Sequence, residues 1–180
     1  MSATDLNDLA IAMTFLIREA TLDDAVLIAE LTRQCWHGKV AASSSGNREA
    51  PQRVREDLQQ GGGFLLLNDN TPAGSIRWLA VVGDPLAWEV ARMGILPPYR
   101  GQGLWQQLMA AVVARALSAG IRQLQLAVRT DAPRLLSMYG TLGFDIAAEL
   151  KYSHANPLEP APIVMRRLLH GQKNNVDKAH

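Results

Sequence analysis

Only one cysteine, Cys35, occurs in the 180 residues, so no disulfide can form within the chain. No apolar run approaches the roughly 20 residues that cross a bilayer as a helix, which excludes a span of that kind. The leading MSATDLNDLAIAM has no Lys or Arg, and Asp5 and Asp8 interrupt its apolar residues, so it does not read as a secretory leader. With a lone cysteine and no export signal, a cytoplasmic location is expected. The formal charge of +1, from 18 basic and 17 acidic residues, argues against a strongly basic nucleic-acid binder. No set of His, Cys and carboxylates has metal-ligand spacing, and no metal is expected. Two phosphate-binding signatures are missing as well. Gly38-Lys39 is followed by Val40 rather than Ser or Thr, and Gly101-Gln102-Gly103 is followed by Leu104, Trp105 and Gln106 rather than a third glycine in place.

What is present is a chain with 48% hydrophobic and 19% charged residues, enough apolar content for one globular domain. We expect that domain at residues 14–169, with 1–13 as an N-terminal extension and 170–180 as a flexible tail. The charge is unevenly spread. Residues 1–89 carry 7 basic and 12 acidic groups, whereas residues 90–130 carry Arg92, Arg100, Arg115, Arg122 and Arg129 and no acid. An acid-free block of that length points to an anion nearby.

The pattern of elements is mixed. Phe15–Arg18 reads as a strand, and Thr21 with Asp23 and Asp24 opens a helix whose apolar stripe includes Val26, Ala29, Leu31 and Cys35. Pro51 starts a second helix, and Gly61-Gly62-Gly63 is expected to break the chain after it. Strands follow at Phe64–Leu67, Ala73–Val82 and Trp88–Leu96. Gly103 then opens a long helix with Trp105, Leu108, Met109, Val112, Val113, Ala116 and Leu117 on its apolar stripe, ended by Gly120. Leu124–Val128 is a strand, Pro133 to about Leu142 a helix, and Phe144–Leu150 and Pro162–Leu169 are the last strands. The order predicts a single-domain α/β fold with a mixed, mostly antiparallel sheet flanked by helices.

The informative stretch runs from Glu89 to Trp105, a strand followed by a glycine turn that opens a helix. Free N–H groups and the positive dipole end at a helix N-terminus suit a phosphate, and Gly101 and Gly103 allow close approach without a Cβ. A plain strand-to-helix turn satisfies the same spacing.

Ile95-Leu-Pro-Pro-Tyr-Arg100-Gly-Gln-Gly103 resembles the central signature of the GNAT acyl-CoA-dependent N-acyltransferases, whose core is Arg/Gln-x-x-Gly-x-Gly/Ala. Ile17-Arg-Glu-Ala-Thr21 with Asp24-Ala25 resembles that family's first strand and helix, and Leu136-Ser-Met-Tyr139-Gly-Thr-Leu-Gly143-Phe144 its Leu-Tyr-x-x-x-Gly-Phe motif. The likeness runs from about Thr14 to Leu169. It departs from the pattern at Trp105, where a small residue is usual, and at Ala132, where many relatives have asparagine.

The resemblance implies a sheet splayed between its fourth and fifth strands, with acetyl-CoA as cosubstrate in the gap. By that analogy backbone groups at Met93 and Ile95 hold the pantetheine arm, and Arg100, Gly101, Gln102, Gly103, Leu104 and Trp105 hold the pyrophosphate. Tyr139 falls where the family has a tyrosine beside the departing thiolate, and Glu89 where an acid is frequent. Read alone, Tyr139 is equally a core tyrosine and Glu89 an exposed strand-end carboxylate. His37 and His154 are spare candidates, and Cys35 is a buried structural thiol rather than a nucleophile.

The implied function is acetyl transfer to a primary amine by direct attack in a ternary complex, on a small-molecule acceptor. A CoA-binding module without turnover and an acetyltransferase for protein N-termini or lysines are the alternatives. Acceptor contacts would come from the loop 36–49, with Ser43, Ser44, Ser45, Asn47 and Glu49, the hairpin with Arg77 and Trp78, and the loop 152–162. Homodimerisation stays open by family analogy.

Overall fold

The computed structural model describes residues 14–40, 42, 44–152 and 159–170. The expected N-terminal extension and C-terminal tail lie outside the described residues but for His170, as do Ser43 and His154. In chain order the elements are β1 (Phe15–Glu19), α1 (Ala25–Trp36), α2 (Pro51–Gln60), β2 (Gly61–Asn68), β3 (Thr71–Val81), β4 (Asp84–Ile95), α3 (Leu104–Ser118), β5 (Gln123–Val128), α4 (Arg134–Gly140), β6 (Asp145–Ile146) and β7 (Ile163–Leu168). They form one seven-stranded sheet in the order β1-β2-β3-β4-β5-β7-β6. Every neighbouring pair is antiparallel except β4 and β5. That pair is parallel because the chain crosses between them through α3.

Strand alternation sorts the side chains into two cores. On one face Ile76, Trp78, Val90, Leu124 and Leu126 pack with Leu104, Leu108, Met109 and Val112 of α3. On the other, Leu65 and Leu67 pack with Ile28, Ala29 and Leu31 of α1 and Val54 and Leu58 of α2. At roughly 25 cal/mol per Å² of apolar surface removed from water, these two layers are the main stabilising term.

Three expectations are corrected. Gly61-Gly62-Gly63 does not interrupt the chain. All three glycines belong to β2 and pair with Leu79, Trp78 and Arg77. They are needed for space, since a Cβ on Gly62 would sit 2.4 Å from the Trp78 indole and one on Gly61 1.9 Å from the Trp78 carbonyl oxygen. The indole that fills this space is itself stacked on Trp88, with ring centroids 5.2 Å apart. The fourth strand starts at Asp84, not Trp88, because Val82 and Gly83 close a tight turn with Gly83 at φ +84°. The strand expected at Phe144–Leu150 is reduced to Asp145–Ile146: Ala147 still donates to Val164, but the Leu150 amide then turns back onto the Ala147 carbonyl.

The entry to α1 is set by charge. Arg18 and Asp24 form a two-pronged ion pair at 2.8 Å on both prongs, and the Asp24 carboxylate also accepts from the Thr21 amide at 2.7 Å. The Arg18 guanidinium, foremost, holds the Asp24 carboxyl down at about 2. A carboxyl depressed on folding stabilises above its unfolded pKa of about 3.9, and that contribution fades as pH falls toward the folded value. With Arg18 partly exposed to solvent, about 1 kcal/mol is expected. Urea unfolding of Asp24→Asn should therefore show a deficit of about that size at pH 7, shrinking steadily from pH 4 to pH 2. A deficit independent of pH would contradict the assignment.

Candidate active site

The parallel β4–β5 pairing is short. It joins Ala87, Trp88 and Glu89 to Gln123, Leu124 and Gln125 and then ends, although β4 continues to Ile95 and β5 to Val128. Beyond Glu89 the β5-facing backbone groups of β4 have no strand partner. The cause is visible on the other edge of β4. Ser75 pairs with Gly94 and Arg77 with Ala91, so the single residue Ile76 opposes both Arg92 and Met93. This is a β-bulge with Arg92 in the left-handed region at φ +55°. A bulge bends the strand that carries it, and here the bend coincides with the parting of the sheet.

A cavity of about 510 Å³ opens at the parting. Its walls are Val90 to Met93 of β4, Leu126 and Ala127 of β5, Leu135, Met138 and Tyr139 of α4, Cys35 and Trp36 of α1, and Tyr152. The volume is that of a small-molecule site, and the lining is apolar with a few convergent polar groups.

The sequence-predicted residues divide into three groups. Met93 and Tyr139 line the cavity, and so does Ala132, where the family signature departs. Glu89 does not line it but precedes Val90 of the wall, in the row Leu79–Glu89–Gln125 across the sheet. It is not the exposed strand-end carboxylate that one reading allowed. It is in the interior of β4, 2% exposed, and accepts a hydrogen bond from Gln125 Nε2 at 3.2 Å. The third group, Arg100 to Trp105, forms the turn at the end of β4 and the start of α3, outside the cavity lining.

In that turn Gly101 and Gly103 have φ of +77° and +71°, with no atom within 4 Å of a Cβ added at Gly101. Gly103 is the N-cap of α3 and has no side chain to cap it, so the first helical N–H groups point outward. An anion fits this arrangement. The Arg100 guanidinium does not extend toward it. Arg100 Nε donates to the Ile95 carbonyl and Nη2 to the Cys35 carbonyl, each at 2.9 Å, tying the turn to the end of α1 and occupying the carbonyl oxygen of Ile95. The acid-free block is corrected in the same way. Arg92 pairs with Glu49, Arg115 with Glu19 and Arg129 with Asp131, so three of its five charges are matched by acids from outside the block. The groups left open to an anion are the backbone N–H groups of the turn.

Tyr139 is held by two aromatic edges, Trp105 at 6.3 Å and Phe144 at 6.0 Å between centroids. Trp105 is thus half-buried packing, as its place in the apolar stripe indicated. Burial pushes the Tyr139 phenol up to about 12, so it keeps its proton at neutral pH. Burial likewise pushes the Cys35 thiol up to about 11 and leaves it un-ionised, which fits the structural role assigned to it.

Sequence reasoning missed the role of the loop before α2. Arg77, fully buried, donates to Glu49 and Asp57 at 2.8 Å each. Arg53 pairs with Asp57 at 3.0 Å, and Arg92 with Glu49 at 2.9 Å. Residues separated by up to 43 positions meet here, and no local pattern signals it. Breaking such a set by removing one partner costs about 3–5 kcal/mol. Tyr152, the first residue of the loop expected to contact the acceptor, lines the cavity; burial, then the Glu89 charge, raises its phenol above the ordinary value.

If the Tyr139 phenol is held neutral as described, the tyrosinate absorbance of the folded protein up to pH 11 should be the same for the wild type and Tyr139→Phe. A variant lacking a phenol that ionises near pH 10 would contradict it.

Comparison with known proteins adds the following. A family model described as acetyltransferase (GNAT) family matches residues 27–144. The mycothiol acetyltransferase of Kytococcus sedentarius is 32% identical over 99 residues, covering 53% of this chain and 33% of that protein, so the chain matches about a third of its relative's length. The PaiA N-acetyltransferase of Thermoplasma acidophilum, solved with coenzyme A, superposes with a TM-score of 0.70 at 15% identity, covering 87% of this chain and 99% of that one. An acetyltransferase of the GNAT family from Staphylococcus aureus gives a TM-score of 0.72 at 15% identity, covering 87% and 100%. The splayed mixed sheet is the GNAT fold, and this chain belongs to the GNAT acetyltransferase family.

Proposed function

We propose that the chain transfers an acetyl group from acetyl-CoA to a small primary amine, by direct attack in a ternary complex. The observation that carries this reading is the parting of β4 from β5 after Glu89, with a cavity at the gap and an uncapped, glycine-preceded helix start beside it. A cosubstrate with an amide-bearing arm can add to the unpaired edge of β4 as a further strand would, and its phosphates suit the N–H groups at Gly101 to Trp105. Met93 would offer backbone groups to the arm. Ile95 offers only its amide side, since its carbonyl is taken by Arg100. When bound, acetyl-CoA supplies an acyl thioester; the residues of the chain do the rest.

The acceptor amine must lose a proton, the carbonyl oxygen must be stabilised as it gains charge, and the departing sulfur must be protonated. Glu89 is the base in this reading, through a water where it does not reach directly, since it is buried next to Val90 of the cavity wall and oriented by Gln125. The Met93 amide, turned by the bulge, donates to the carbonyl oxygen. Tyr139 Oη gives its proton to the sulfur; burial raises its phenol further above neutral pH, so it holds that proton beforehand. A direct route is favoured over a covalent one because the thiol in the cavity wall, Cys35, is held un-ionised.

Tyr139→Phe is expected to lower kcat by about 100-fold, at the low end for loss of an acid–base group, while acetyl-CoA affinity stays within about twofold. Glu89→Gln keeps the hydrogen-bonding shape and should lower kcat by a similar factor. Steady-state thiol release with calorimetric cosubstrate titration checks both; equal turnover in either variant removes that residue from the reaction. Acetyl-CoA binding without thiol release on any amine would instead favour a binding module.

A further inference from the structure

The ion set beside the cavity is unbalanced. Three guanidiniums, Arg53, Arg77 and Arg92, share two carboxylates, Glu49 and Asp57, leaving one positive charge in excess. Both carboxylates are buried and committed to arginines, and neither reaches the cavity wall. Arg92 is the member that does.

Its guanidinium is built into place on three sides. Nε is 2.9 Å from Glu49 Oε2, Nη2 donates to Ser45 Oγ at 2.7 Å, and the plane lies over the Trp36 ring with Cζ 5.2 Å from the centroid. Among the described residues Nη1 has no partner, and the side chain is 23% exposed. A left-handed φ of +55° is unfavourable for a long side chain, so the bulge holds Arg92 there against a local cost. Of the other charged groups on the cavity wall, Lys39 and Arg134 are cations, and the single acid, Asp131, is paired with Arg129. Among the described residues the wall therefore presents more cations than acids, and its one carboxylate is already paired.

We infer that the acceptor is a small amine that carries its own carboxylate, of the free amino-acid class, with that carboxylate bound by Arg92. This rests on the acetyl-transfer reading and names the substrate class for the same site. A guanidinium fixed by Glu49, Ser45 and Trp36 has little freedom left to lose on binding, and a planar carboxylate is the group its remaining donors match. The amine at the other end of such a molecule is left facing the interior, where Glu89 lies.

The test uses matched triplets: a free amino acid, its amide, and the corresponding decarboxylated amine, taken across small, acidic and aromatic side chains. Thiol release from acetyl-CoA is the readout. In the wild type the free amino acid of at least one triplet should exceed its amide and decarboxylated partner by about 10- to 100-fold in kcat/KM. In Arg92→Gln that preference should collapse toward unity, and Arg92→Lys should keep part of it. Three results would each overturn the assignment: amides or decarboxylated amines turned over as well as the free acids, a preference that survives in Arg92→Gln, or no carboxylate-bearing amine turned over at all. Amides alone being accepted would point to a polypeptide acceptor. A thermal shift with acetyl-CoA separates the two levels: with the shift intact these results remove only the carboxylate assignment, whereas its loss together with absence of thiol release removes the acetyl-transfer reading beneath it.

Discussion

The interaction on which the site depends is one that stops. Parallel pairing between β4 and β5 extends from Ala87 to Glu89 and no further, and among the described residues the remaining six residues of β4 have no paired strand on that side. Unpaired backbone N–H and C=O groups inside a fold are costly unless something else satisfies them. Here the open edge coincides with a bulge at Arg92 and Met93 on the opposite side of the strand. The cavity opens at that kink, and Arg92 and Met93 line it.

Two kinds of packing hold the kink in place. On the α3 face it is apolar: Val90 and Ile95 lie in a continuous core with Leu104, Leu108 and Val112, and the Trp78–Trp88 stack sits just before the parting. On the α1–α2 face it is ionic, because Arg77 is buried in the strand next to β4 and needs Glu49 and Asp57 around it. A buried ion set of this kind is weak as a source of stability but demanding in geometry. It fixes the loop before α2, and through Glu49 it fixes Arg92. Both faces of the sheet carry an apolar core, and the ion set adds its geometric constraint on the α1–α2 face.

Much of the fold was legible in the sequence because its signals are local. The apolar stripe of α3, its glycine start and the Tyr139 motif each specify their own element, and all three fell where they were expected. What was not legible depends on partners distant in the chain. Gly61–Gly63 looked like a break because the reason for three glycines in a strand is the indole of Trp78, on the neighbouring strand. Glu89 looked like a strand end because the strand's true start, at Asp84, depends on the turn geometry of Gly83. The positive block at residues 90–130 looked like an anion site through its arginines. Its acids come from Glu19, Glu49 and Asp131, all outside the block, and the uncapped backbone N–H groups at the start of α3 are not registered by a charge count.

The account's central claim is that the open edge of β4 is where acetyl-CoA lies. Amide hydrogen exchange over Val90 to Ile95, with and without acetyl-CoA, tests it most directly. Rapid exchange of the β5-facing amides is expected in the free protein, with marked slowing on binding there and at Gly101 to Trp105. Slowing at the glycine turn with no change along β4, or protection of β4 already complete in the free protein, would contradict it.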